Sequence, residues 1–89
     1  MKTEKISLPL AQYPKQIRTY LERANFYDRS SHSGASVFYA DTGYYLKIDQ
    51  KGQLAQEATL AKWFEEQGLG VPVIHYLSED KDYLLTKEA

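Results

Sequence analysis

Apolar residues recur in short stretches along this chain, and several of the stretches alternate with polar positions. Alternation with a period of two is typical of a β-strand that has one buried face. Residues 1–10 are predicted to be an extended lead-in, because Ile6, Leu8 and Leu10 alternate with polar residues apart from Pro9. The pattern after them predicts five strands, over residues 26–29, 35–40, 44–49, 71–77 and 83–86.

Two other stretches repeat their apolar residues at helical spacing. The first begins at Pro14, whose missing N–H suits the first position of a helix, and Asn25 is expected to end it in a left-handed conformation. We interpret this helix as a packing element. The second is predicted over residues 53–67, with Gly68 as its C-terminal stop.

The lengths of the connections predict how the strands pair. Asp41-Thr42-Gly43 is a tight link that favours an antiparallel hairpin, and Pro72 places the start of the fourth predicted strand at a sheet edge. The predicted fold class is α+β: a five-stranded, mostly antiparallel sheet, one main helix between the third and fourth strands, and an N-terminal helix. Both helices are expected on one side of the sheet. A length of 89 residues predicts a single domain, residues 1–89.

Composition narrows the classes of function. The net charge is −1 and the basic residues are scattered, which argues against a nucleic-acid partner. The chain has no cysteine, so disulfide scaffolds and cysteine-ligated zinc are excluded. No apolar run has the length of a membrane span and no signal-peptide core follows Met1. The sequence therefore predicts a cytoplasmic protein with no membrane partner.

Two charged residues stand at positions where the pattern predicts burial. Lys47 lies inside the apolar and aromatic run Tyr44–Ile48, and Glu57 has apolar neighbours at helical offsets on the second helix. A charge that faces a core is costly unless it is paired, so we expect the two side chains to form a buried pair. Such a pair behind the small-residue loop 30–36 is one way to hold the phosphates of a nucleotide.

Each of these features also has an ordinary structural explanation. Lys47 could be an edge-strand lysine that points to solvent, and Glu57 could be balanced at the surface by Lys51 or Lys62. Lys62 is five residues from Glu57, which is a poor helical spacing for an ion pair, so the paired arrangement is preferred. A Ser/Gly cluster alone is most often a turn.

The remaining polar residues offer little further chemistry. The carboxylates of Glu79, Asp80 and Asp82 are predicted to belong to a solvated turn. His32 and His75 lack enough companions at workable spacing for a metal site, so no metal ligand is predicted.

Five motifs in order resemble a known family. They are S-G-A-S-V-F-Y, Y-Y-L-K-I, Q-E-A-T-L-A-K-W-F, G-V-P-V-I and Y-L-L-T-K-E-A. Together they resemble the N-terminal lobe of the aminoglycoside 3'-phosphotransferases, which have a protein-kinase-like fold. The resemblance covers nearly the whole chain, including the helix before the first predicted strand.

On the phosphate side, the resemblance implies a catalytic pair. Lys47 matches the strand lysine that contacts the α- and β-phosphates of ATP, and Glu57 matches the helix glutamate that orients it. Ser33 and Gly34 fall in the loop whose backbone amides close over the β-phosphate.

On the adenine side, the resemblance implies four further nucleotide-binding positions. Tyr45 matches the ring that stacks on adenine, and Val37 falls where the second predicted strand lines the adenine pocket. Lys87 and Ala89 match the hinge positions whose backbone C=O and N–H read the adenine edge.

The resemblance also implies what lies elsewhere. The catalytic-loop Asp and Asn and the magnesium-binding Asp of the family have no counterpart here. They and the aminoglycoside-binding surface are expected in a C-terminal lobe, so the 89-residue chain is expected to be an inactive fragment of an ATP-dependent, Mg²⁺-requiring enzyme. An uncovered lobe interface would favour self-association.

Two alternatives remain open at this stage. The first is the same lobe in a related small-molecule kinase that acts on choline, homoserine or a macrolide, and the choice between ATP and GTP is open as well. The second is a non-catalytic binding module of similar layout, in which Lys47 and Glu57 need not meet.

Overall fold

The computed structural model of the protein describes residues 5–31 and 34–89. In this part of the chain, six strands form one sheet, accompanied by two α-helices and a short 3-10 helix. The strands are β1 (Lys5–Ile6), β2 (Phe26–Asp28), β3 (Ser36–Ala40), β4 (Tyr44–Gln50), β5 (Val73–Ser78) and β6 (Lys81–Lys87). The helices are the 3-10 helix Leu10–Gln12, α1 (Lys15–Leu21) and α2 (Ala55–Glu66).

The strands follow the order β1-β2-β3-β4-β6-β5, and every neighbouring pair is antiparallel. The predicted α+β class and antiparallel sheet are confirmed, but the count of five strands is wrong. The additional strand is Lys5–Ile6, where an extended lead-in was predicted, and Ile6 pairs with Phe26 of β2. The alternation of Ile6, Leu8 and Leu10 indicated an extended segment, but it did not indicate that the segment pairs with another strand. Strand β5 is at the sheet edge, as Pro72 indicated.

The two α-helices pack on opposite faces of the sheet. Ile17 and Leu21 of α1 are fully buried in a cluster that contains Leu85, whereas Leu54 before α2 packs against Leu84. Successive side chains of a strand point to opposite faces, so Leu84 and Leu85 place the helices on different sides. The expectation that both helices share one side is wrong, because connection length determines which strands are neighbours and does not determine the face.

Helix α1 ends earlier than the sequence predicts. Pro14 is its cap residue, the last helical residue is Leu21, and Arg23 adopts the left-handed conformation with a φ of 65°. The prediction that Asn25 provides the left-handed stop is wrong. Its backbone and side-chain amides instead donate to the carboxylate of Asp41 at 2.8 and 2.9 Å, which ties the start of β2 to the β3–β4 turn.

Helix α2 ends as its sequence predicts. Gly68 has a φ of 73°, which a glycine adopts without the steric cost that a side chain would impose, and its N–H donates to the carbonyl of Glu65 at 2.9 Å. Within the described ranges, neither helix is long and apolar enough to cross a membrane.

Candidate functional site

Lys47 and Glu57 are in direct contact. Lys47 is on β4 and Glu57 is in the first turn of α2, and the Lys47 Nζ donates to Glu57 Oε2 at 2.7 Å. The prediction that these two charges meet is confirmed. The prediction that the pair is buried is wrong, since the two side chains are 30% and 47% exposed, respectively. An ion pair this accessible to water contributes only about 0–1 kcal/mol to stability.

The exposure of the pair follows from how α2 packs on the sheet. The buried positions on this side are Leu54 and Ala58, both in contact with Leu84 of β6. Leu60 and Phe64, the neighbours that made the surroundings of Glu57 look like a core, are 53% and 38% exposed. Helix α2 therefore presents apolar residues on more than one side, and a helical period cannot tell which of them faces the sheet.

A cavity of about 280 Å³ opens beside the ion pair, between the sheet and α2. It brings together four residues that the sequence analysis selected, namely Val37, Tyr45, Lys47 and Glu57. Tyr45 and Lys47 share a strand face because they are two residues apart, and Val37 is the partner of Lys47 in the β3–β4 pairing. One side of the cavity is therefore a sheet face that carries an aromatic ring, an ammonium group and an aliphatic side chain.

Four further lining residues were missed by the sequence analysis: Ala61, Val71, Leu84 and Thr86. Leu84 and Thr86 lie opposite Lys47 and Tyr45 in the pairing of β4 with β6. Their signal in the sequence was the period-two pattern of the last strand. That pattern does not show that Leu84 and Thr86 lie beside Lys47 and Tyr45. The sheet order shows it, because β6 is the neighbour of β4 although β5 comes between them in the sequence.

A row of tyrosine rings continues from the cavity across β3 and β2. The ring centroids of Tyr45 and Tyr39 are 5.1 Å apart, and those of Tyr39 and Tyr27 are 6.3 Å apart. The guanidinium of Arg29 lies 5.7 Å from the Tyr27 ring and 5.8 Å from the Tyr39 ring. The Tyr39 hydroxyl donates to Glu88 at 3.1 Å, and this bond is the main reason why the pKa of Tyr39 is raised.

The other predicted nucleotide-binding residues that the structure describes do not border this cavity. Ser33 lies outside the described residues. Gly34 is exposed and has a φ of 98°, a conformation that favours glycine, but it is not among the lining residues. Lys87 and Ala89 do not line it either, and the Lys87 N–H donates to the Pro72 carbonyl at 2.9 Å.

The sequence-based prediction for Asp82 is wrong. It was predicted to lie in a solvated turn with Glu79 and Asp80, but its side chain is fully buried. It belongs to β6, where the alternation of side chains puts it on the same face as Leu84, towards α2. Asp82 follows Glu79 and Asp80 in the sequence and therefore looks like part of a charged turn, although its carboxylate faces inward.

Both oxygens of the Asp82 carboxylate accept hydrogen bonds. Its Oδ2 accepts from the Leu54 N–H at 3.0 Å and the Tyr76 hydroxyl at 2.9 Å, while Oδ1 accepts from the Ser78 hydroxyl at 2.6 Å. Burial by itself would raise the pKa of Asp82. The bonds from Ser78, the Gly52 and Leu54 amides and Tyr76 outweigh burial and lower the pKa to about 2.

A larger depression, about 720 Å³, lies along the outer side of α2. Its lining has no charged side chain, so it lacks the groups that bind a phosphate. The lining consists of Ala55, Gln56, Thr59, Leu60 and Trp63. Within residues 5–31 and 34–89, no cluster of three His, Asp or Glu side chains is placed to hold a metal ion.

The described residues thus define an α+β chain in which a strand lysine and a helix glutamate meet beside a cavity with an aromatic wall. Among curated proteins, the chain is similar to one from Lactococcus lactis subsp. lactis (strain IL1403) named "Probable aminoglycoside 3'-phosphotransferase". The two are 34% identical over 88 residues, which cover 96% of this chain and 34% of the relative. No family model matches the chain, and no solved structure gives a significant match.

This match confirms the resemblance that the five motifs indicated. The similarity extends over 88 residues, nearly the whole chain, to a protein that carries the name of this family. The chain spans about a third of the length of that curated relative.

Proposed function

We propose that this chain is the ATP-binding lobe of an aminoglycoside phosphotransferase with a protein-kinase-like fold. The observation that carries the proposal is the 2.7 Å contact between Lys47 Nζ and Glu57 Oε2 at the edge of the cavity. A non-catalytic module of the same layout would not need this contact. The relationship to a protein named as an aminoglycoside 3'-phosphotransferase supports the choice of acceptor over choline, homoserine or a macrolide.

The lining residues suit a nucleotide. Tyr45 offers a ring on which an adenine can stack, and Val37 and Leu84 offer aliphatic surface to the other parts of the base. Lys47 supplies a positive charge for the α- and β-phosphates, and Glu57 holds its ammonium group over the sheet. Because the pair is half exposed, the ammonium can reach a phosphate without first leaving a buried position.

The reaction proposed for the whole enzyme is transfer of the ATP γ-phosphoryl group to an aminoglycoside hydroxyl. Transfer needs a base that accepts the hydroxyl proton and ligands for Mg²⁺, and we assign these to the part of the enzyme that this chain does not include. The chain alone should therefore bind ATP weakly and catalyse nothing. We further propose that the enzyme works in the cytoplasm, where ATP is available.

The test is an NMR titration of the 89-residue chain with ATP and, in a parallel sample, with inorganic triphosphate. We expect millimolar affinity and amide shifts at Val37, Tyr45, Lys47 and Leu84, with the base-side shifts absent for triphosphate. Shifts confined to other surfaces, or none at all, would contradict the proposal. Phosphorylation of kanamycin by the purified chain with ATP and Mg²⁺ would contradict the assignment of catalysis to another part of the enzyme.

A further inference from the structure

Helix α2 has no cap of its own at its N-terminus. The cap residue is Leu54, whose apolar side chain is buried and makes no capping hydrogen bond. The first N–H groups of a helix have no partner within the helix and need an acceptor from elsewhere. Here Asp82, on the face of β6 that lies towards α2, provides it, with its Oδ2 3.0 Å from the Leu54 nitrogen.

Glu57 occupies the position from which a glutamate can cap its own helix. It is three residues after Leu54, and in a capping box the carboxylate at that position accepts from the N–H of the cap residue. In this structure Asp82 already accepts from that N–H, and the Glu57 carboxylate accepts from Lys47 instead. The Leu54 N–H and the Lys47 ammonium group thus each have their own carboxylate partner.

Asp82 is held firmly in this role. Its carboxylate is fully buried, and the hydroxyls of Tyr76 and Ser78 donate to its two oxygens at 2.9 and 2.6 Å. These bonds, which do not involve α2, hold the carboxylate in position and favour its charged form. The carboxylate of Glu57, in contrast, is on a flexible, half-exposed side chain that could turn to either donor.

We propose that Asp82 is a positioning residue for Glu57: by accepting from the N–H of Leu54, it leaves the Glu57 carboxylate free for Lys47. If Asp82 is removed, the positive end of α2 attracts the Glu57 carboxylate, which is in the first turn at the capping-box position. Lys47 then loses its partner. The effect on ATP rests on the proposed function, whereas the effect on the Lys47–Glu57 contact does not.

The first experiment reads the contact without any nucleotide. Asp82→Ala removes the acceptor of the Leu54 N–H, which an asparagine oxygen would retain, and the position of Glu57 is determined by crystallography or by NMR distances to Lys47 Nζ. We expect Glu57 to leave Lys47 and approach the Leu54 nitrogen. A Glu57 that stays on Lys47 in Asp82→Ala overturns the proposal. Should the variant unfold, sucrose is added to restore the folded state before the measurement.

Tyr76→Phe is the matched control for this experiment. It removes one donor from Asp82 in the same buried cluster but leaves the bond to the Leu54 N–H in place. We therefore expect the Lys47–Glu57 contact to persist in Tyr76→Phe. Loss of the contact in both variants would mean that it responds to damage of the cluster in general, and the positioning role would be rejected.

The second experiment reads ATP affinity by NMR titration in a double-mutant cycle. Asp82→Ala should weaken ATP binding about tenfold in the wild-type background and have no further effect in the Glu57→Gln background. A weakening of equal size in both backgrounds would show a structural role that does not pass through Glu57. If the wild-type chain binds no ATP while Glu57 still moves in Asp82→Ala, the proposed function fails and the positioning role stands.

Discussion

Leu84 and Leu85 are consecutive residues of β6, yet their side chains are buried on opposite faces of the sheet. Leu85 is fully buried in the core beneath α1, and Leu84 packs under α2 and lines the cavity beside Lys47. The sheet is thus a single layer with a packing face and a site face. Substitutions on the two faces should therefore have separable effects on stability and on nucleotide binding.

The packing face should dominate stability. Leu85→Ala is expected to lower the free energy of unfolding by about 2–5 kcal/mol, because it opens a cavity in a fully buried site. Leu69→Ala is the control, since Leu69 is 72% exposed and its truncation should change stability by no more than about 0.5 kcal/mol. Urea denaturation of both variants measures the difference. Equal destabilisation by the two substitutions would contradict the position of the core.

Removal of the lysine charge should affect binding far more than folding. Lys47→Met is expected to weaken ATP binding about 10- to 100-fold, the range of a charge-assisted hydrogen bond. The half-exposed contact with Glu57 means that stability should fall by less than about 1 kcal/mol. Lys62→Met changes an exposed lysine of α2 outside the cavity and should leave ATP affinity unchanged. Equal effects of the two substitutions on affinity would remove Lys47 from the site.

Two adjacent tyrosines should separate base stacking from packing. Tyr45 lines the cavity, whereas Tyr44 points to the other face, where its ring centroid is 5.3 Å from that of Tyr20. Tyr45→Ala should cost about 1–3 kcal/mol of ATP binding, the usual contribution of stacking on an aromatic ring. Tyr44→Ala should lower thermal stability and leave affinity intact. Titration and thermal melts of both variants test the pair, and loss of affinity in Tyr44→Ala alone would refute it.

Lowering the pH should reduce the free energy of unfolding, because the Asp82 carboxylate becomes protonated. Its pKa is about 2 in the folded chain and 3.8 ordinarily, so the unfolded chain binds more protons between these values. The stabilisation is fully present above about pH 4 and is lost as the pH falls towards 2. Denaturation midpoints from pH 5 to pH 2 should fall less steeply for Asp82→Asn than for wild type. Asp80→Asn, on the exposed turn, should keep the wild-type slope.

Much of this fold could be predicted because its signals are local. The alternation in 35–40 and 44–49 located β3 and β4 to within a residue, and Gly68 marked the end of α2. Lys47 stood out for the same reason, as a charge inside an apolar run. Its contact with Glu57 was predictable because the two residues are ten apart and joined by a strand end and a short turn.

The remaining features depend on contacts between residues distant in sequence. Asp82 looks like part of a charged turn until β6 is placed beside β4 and under the N-terminus of α2. The burial of Glu57 was overestimated because Leu60 and Phe64 follow a helical period without facing the sheet. Strand β1 lies in a segment whose alternation predicted an extended chain, but its pairing with β2 joins residues about 20 apart and has no local signal.

The placement of Trp63 has a practical consequence for spectroscopy. It is the single tryptophan of the chain, it is 50% exposed, and it lies on the outer side of α2 with its ring centroid 5.2 Å from that of Phe64. Its emission should therefore follow the melting of this helix and stay silent when a ligand enters on the sheet side. Tryptophan fluorescence would then report folding alone. Ligand binding would have to be followed through the tyrosines on the sheet side, such as Tyr45.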